Sequence, residues 1–90
     1  MLTSKLRIIG RVQGVGFRFH CSQLARQWHL GGSVKNEADG SVSLVLQADA
    51  QTRKDFLQAL EEANPYARID QVDLLAEEDL DFKDSFETLY

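Results

Sequence analysis

The hydrophobic period of the chain changes across Gly10-Arg11-Val12-Gln13-Gly14-Val15-Gly16-Phe17-Arg18, and nothing else in the sequence constrains the fold as much. Before this stretch, Lys5 to Val12 alternates, with Leu6, Ile8, Gly10 and Val12 on one side and Arg7, Ile9 and Arg11 on the other. That is a strand with one buried face. After it, from Phe19 to His29, Cys21, Leu24, Ala25 and Trp28 fall at i, i+3, i+4 and i+7. They make an apolar helical stripe, with His20, Gln23, Arg26 and Gln27 facing away. The stretch between is therefore a strand-to-helix turn. Its glycines, Gly10, Gly14 and Gly16, let the backbone bend sharply and approach a ligand closely. Successive amide N–H groups in such a turn, beside a helix N-terminus, form a concave anion site. Arg18 adds a rigid fork of donors suited to phosphate oxygens. Taken alone, a turn of this kind is more often only a turn followed by a solvated arginine. It is neither a dinucleotide loop nor a Walker loop: position 19 is Phe rather than Gly, and no Gly-Lys-Ser/Thr follows.

The remaining pattern completes a small α+β order. Gly31-Gly32 is expected to stop the first helix. Ser33–Glu37 and Ser41–Ala48 read as strands around a tight turn containing Asp39-Gly40, with Val42, Leu44, Leu46 and Ala48 inward. Thr52 with Asp55 resembles a capping box, and Phe56, Leu57, Leu60 and Ala63 give a second amphipathic helix ended by Asn64-Pro65. Tyr66 to Ala76 is rich in strand formers, but Ile69 and the pair Val72 and Leu74 differ in parity, which a bulge near Asp70-Gln71 reconciles. Glu77–Asp81 is expected as a charged loop, and Asp84–Tyr90 as a short last strand. The order is β-α-β-β-α-β. It fits a ferredoxin-like α/β sandwich, two helices on one face of an antiparallel sheet, with a possible short C-terminal strand.

Ninety residues, 43% of them hydrophobic, are expected to form a single domain spanning 1–90. No apolar run suggests a membrane span, and the first residues lack a secretory core. One cysteine, Cys21, excludes an internal disulfide and leaves too few thiols for a cysteine metal site. These features predict a cytoplasmic location, and a monomer is expected. Net charge is −4, unevenly spread: residues 1–36 carry +6 with no acidic side chain, and residues 37–90 carry −10. A cationic first third would favour a small anion at the glycine turn, unless the two halves interleave on folding. The overall acidity argues against nucleic acid.

The stretch GRVQGVGFR resembles the signature of the acylphosphatases, small enzymes that hydrolyse carboxyl-phosphate anhydrides. Gly32-Ser33-Val34-Lys35-Asn36-Glu37-Ala38-Asp39-Gly40-Ser41-Val42 is similar to a second motif of that family, GxVxNxxDGxV. The resemblance implies the ferredoxin-like architecture. It also implies that Arg18 and the amides of Gln13, Gly14, Val15, Gly16, Phe17 and Arg18 hold a phosphate, while Asn36 orients the attacking water. Without its motif, Asn36 would more often be a turn residue ahead of Asp39-Gly40. The implied substrate is a small acyl phosphate, with inorganic phosphate as product and competitor. Neither a cofactor nor a metal is expected; His20 and His29 have no acidic or thiol partner at ligand spacing. Cys21, Phe17 and Trp28 are expected in the core.

The chain departs from the family pattern at several positions. His29 and Ser33 stand where a glycine and an aromatic residue are usual, Ala48 and Asn64 where glycines are, and Thr88 where an aliphatic residue is. The first stretch is also similar to the N-terminal domain of a hydrogenase maturation factor that handles carbamoyl phosphate. That family usually has proline where this chain has Phe19, and this chain begins and ends as free-standing members do, so the free-standing enzyme is favoured. An inactive domain retaining only the anion loop is the third reading.

Overall fold

The computed structural model of the chain describes residues 2–79 and 85–90. Five strands, β1 (Leu2–Arg11), β2 (Gly32–Asn36), β3 (Val42–Gln47), β4 (Arg68–Asp79) and β5 (Phe86–Leu89), and two helices, α1 (Phe17–Gln27) and α2 (Ala50–Ala63), follow the expected order. The sheet runs β4-β1-β3-β2-β5. Its first four strands pair antiparallel, whereas β5 lies parallel to β2, so the sheet is mixed. The architecture is the ferredoxin-like sandwich, and the short C-terminal strand is present.

Alternation makes the core. Leu6 and Ile8 of β1, Val34 of β2 and Val42, Leu44 and Leu46 of β3 are all buried. They meet Phe17, Cys21 and Ala25 of α1 and Phe56 and Leu60 of α2. Ala48 and Phe17 are buried as the pattern implies. Trp28 is only partly buried, edge-on to Phe56 with ring centroids 5.7 Å apart. Cys21 is fully enclosed, and burial pushes its thiol pKa up, so it stays protonated and inert.

Several boundaries differ from the sequence reading, each for a local reason. The first helix begins at Phe17, directly after Gly16, which takes the left-handed conformation at φ 79°. It ends at Gln27, before Gly31-Gly32 is reached. Leu30 N–H donates to Ala25 O and His29 N–H to Arg26 O, a Schellman closure with His29 itself left-handed at φ 57°. The second helix is capped by Asp49, whose carboxylate accepts from Thr52 N–H at 2.7 Å; Thr52 is thus capped and is not itself the cap.

The bulge near Asp70 is real: Ile9 pairs with Gln71 and Gly10 with Ile69, leaving Asp70 unmatched. Gly10 is needed there, because a Cβ at φ 147° would collide with Arg68 O. A second shift, between Lys5 and Leu6, leaves Leu75 unmatched and carries the pairing on to Leu2 with Asp79. Glu77–Asp79, expected in a loop, therefore belong to β4. Its edge position tolerates charge, and Lys5 faces Glu78 while Arg53 reaches Glu77. The rest of that expected loop, and Asp84, lie outside the described residues. No helix among the described residues is long and apolar enough to cross a membrane.

Candidate functional site

The expected anion loop occupies the turn between β1 and α1. Gly14 and Gly16 both sit at left-handed φ, 73° and 79°, which a non-glycine residue would adopt only at a cost. Helix α1 has no capping side chain, and its first residues follow Gly16 without a break. The N–H groups of that first turn have no partner within the helix, so they carry partial positive charge toward whatever lies in front of them.

What lies in front is an open depression of about 750 Å³, lined by Gly14, Gly16, Phe17 and Arg18 from the loop and first helical turn. Asn36, at the end of β2, lines it from the other side. Hence the two motifs, whose Arg18 and Asn36 are 18 residues apart in sequence, share one surface. Asn36 Oδ1 is buried and has no hydrogen-bond partner. An orphaned acceptor costs about 1–3 kcal/mol, which a water or ligand donor would relieve.

Gln13 and Val15 do not line the depression; they anchor the loop from behind. The Gln13 carboxamide donates to Glu37 O and Ser41 O, both at 2.8 Å, tying the loop to the β2–β3 hairpin. The Val15 carbonyl accepts from the Asn64 side chain at 2.8 Å. The hairpin is itself fixed by Asp39, whose carboxylate accepts from Ser41 N–H at 2.9 Å and Ser41 Oγ at 2.6 Å. Those two bonds hold the Asp39 pKa below its usual value.

Arg18 is held by the end of the chain. Its Nη1 donates to Leu89 O at 2.9 Å, and the guanidinium carbon lies 4.8 Å from the centroid of the Tyr90 ring. Among the described residues its partners are a carbonyl and a ring rather than a side-chain carboxylate, so it keeps its charge for an anion. Arg26 also lines the depression, with Ser22, Phe86, Glu87, Thr88 and Tyr90. Sequence reasoning placed Arg26 on the face pointing away. Yet Arg18, Ser22 and Arg26 follow one another at i, i+4 and i+8, a spacing that puts them on one side of α1. For the residues of β5 there was no comparable signal, because they reach the site only through pairing with β2.

Charges elsewhere interleave. Arg7 pairs with Asp73 at 3.1 Å and Lys5 lies 3.9 Å from Glu78, so the cationic first third does not act as one block. Among the described residues, the charged side chains lining the depression are those of Arg18, Arg26 and Glu87. Among the described residues no three His, Cys, Asp or Glu side chains converge as a metal site would require.

Comparison with known proteins points the same way. A family model described as Acylphosphatase matches residues 4–88. An acylphosphatase of Treponema denticola is 44% identical over 63 residues, covering 70% of this chain and 67% of that protein. The crystal structure of the acylphosphatase from Bacillus subtilis superposes with a TM-score of 0.84 at 30% identity, covering both chains completely. HypF of T. kodakarensis also superposes, with a TM-score of 0.81 at 28% identity, over all of this chain but 12% of the HypF chain.

Proposed function

The chain belongs to the acylphosphatase family, and from that premise we propose how its residues divide the hydrolysis of an acyl phosphate to carboxylate and inorganic phosphate. The observation that carries the proposal is the convergence of the Gly14–Arg18 loop and Asn36, whose Oδ1 is buried without a partner, on one depression.

The phosphoryl group rests against the amides of the loop and first helical turn, with the Arg18 guanidinium on its oxygens. Asn36 Oδ1 accepts a hydrogen bond from a water molecule and aims its oxygen at phosphorus. That oxygen forms a bond to phosphorus as the bond to the carboxylate oxygen breaks, the electron pair leaves with the carboxylate, and a proton of the water passes to a phosphoryl oxygen to give dihydrogen phosphate. A carboxylate leaves with a pKa of about 4, so no general acid has to protonate it at neutral pH. The transition state is loose, and the chain's work is to position water and stabilise the equatorial oxygens.

The working unit is proposed to be one domain of residues 1–90, a cytoplasmic monomer acting on a small solute without a metal or other cofactor. The net charge of −4 supports separation from nucleic acid and acidic membrane surfaces.

Substrates differing in leaving group test the mechanism. Acetyl phosphate should turn over far faster than a simple alkyl phosphomonoester, whose alkoxide departs with a pKa of roughly 16. Turnover should survive a strong chelator, and inorganic phosphate should inhibit competitively. Comparable rates on both substrates would show that a general acid operates, and loss of activity on chelation would show that a metal does.

A further inference from the structure

Asn64 closes helix α2 as its C-terminal cap and is 1% exposed. A buried carboxamide must place two N–H donors and an acceptor, and here each has a partner. Nδ2 donates to Val15 O at 2.8 Å and lies 3.1 Å from His20 Nδ1, while Oδ1 accepts from Tyr66 N–H at 3.0 Å. An amide nitrogen cannot accept, so in the Asn64–His20 contact Nδ2–H is the donor and His20 Nδ1 the acceptor. The node joins the end of α2, the first turns of α1 and the phosphate loop.

Its effect on the loop follows from peptide geometry. The Val15–Gly16 peptide is planar and trans, so its carbonyl and its N–H point in opposite directions. Asn64 holds the Val15 carbonyl on the buried side. The N–H of Gly16 is then turned the other way, toward the depression that Gly16 lines. Gly16 has the conformational freedom at φ to let this peptide flip, and the hydrogen bond from Asn64 opposes it.

We infer that Asn64 is a positioning residue for the reaction: it presets the Gly16 amide as a phosphate donor from behind the loop. This rests on the loop being the phosphate site. Preorganised amides cost nothing to orient at the moment of reaction, so loss of the hold should appear in ligand affinity and in rate together.

The test combines phosphate calorimetry, steady-state turnover of acetyl phosphate and the ¹H–¹⁵N resonance of Gly16, each at a temperature where the protein is folded. In the wild type, inorganic phosphate should shift the Gly16 amide strongly. Asn64→Ala and Asn64→Asp should raise the phosphate Kd by at least roughly tenfold, the scale of one hydrogen bond to an anion, and lower kcat/KM to match. Their Gly16 response should be lost. Asn64→Asp keeps the size of the side chain and the acceptor for Tyr66 N–H, but its carboxylate cannot donate to Val15 O. If Asn64→Ala fails to fold, that variant decides. Phosphate affinity and kcat/KM within about twofold of wild type, with only thermal stability reduced, would make Asn64 purely structural and overturn the inference. So would a wild-type protein that binds phosphate without a Gly16 response. A wild type that binds no phosphate would instead overturn the loop reading itself.

Discussion

Under the proposed division of labour, Arg18 and Asn36 meet the same substrate with different obligations. The guanidinium carries full charge and is already fixed by Leu89 O and the Tyr90 ring, so in the proposed mechanism it acts on the phosphoryl group before and during bond breaking. The carboxamide is neutral and its free acceptor suits a water molecule. Arg18→Gln should therefore weaken inorganic phosphate binding and lower kcat/KM by at least roughly 10²–10³. Asn36→Ala should lower kcat by a similar order and leave phosphate affinity nearly intact. Calorimetry beside steady-state kinetics separates the two; equal loss of affinity in both variants would make Asn36 a phosphate ligand. The types and positions of both residues were legible in their motifs. The backing of the loop by Asn64 was not, since nothing in the local sequence says that the end of α2 lies against Val15.

Elements in this fold begin and end on single side chains, and these repay inspection one at a time. The bulge at Asp70 was legible because two apolar runs of opposite parity cannot share one face without an extra residue between them. The shift at Leu75 was hidden: Ala76, Glu77 and Glu78 after it carry no apolar alternation to expose the change. The close of α1 was misread for a different reason. Two glycines at 31 and 32 are the stronger stop signal, yet His29 takes the left-handed position and the Schellman bonds form around it. A side chain with a Cβ pays about 1–2 kcal/mol in that region. His29→Gly, which restores the residue usual in the family pattern, should therefore raise the unfolding free energy by roughly 1 kcal/mol and leave kcat/KM unchanged. Urea denaturation measures it, and an unchanged or lowered midpoint would mean that His29 makes a compensating contact.

Across the whole molecule, several carboxylates titrate below their ordinary range. Asp39 is held down by Ser41, Asp49 by the Thr52 amide, Asp70 by Arg68, and Asp73 by Gln71 and then Arg7. A group whose folded pKa lies below its unfolded value, about 3.9 for Asp, stabilises the fold above that value. The contribution is lost as pH falls through the depressed folded pKa. The urea midpoint should accordingly fall as pH drops below about 4, and the double variant Asp39→Asn, Asp49→Asn should show a flatter decline. An identical slope would remove these two caps as the source. The layered architecture was readable from the change of hydrophobic period alone, but the direction of β5 was not: four residues, Phe86–Leu89, hold no signal that distinguishes parallel from antiparallel pairing. That strand has a consequence in time. Synthesis proceeds from the N-terminus, so the ribosome delivers Arg18 well before Leu89, its partner 71 residues on. A nascent chain can hold its glycine loop and its hairpin before its chief positive charge has a seat. The seat is completed once β5 has been made and has paired with β2, so the last strand to be synthesised sets the place of a charge laid down near the beginning.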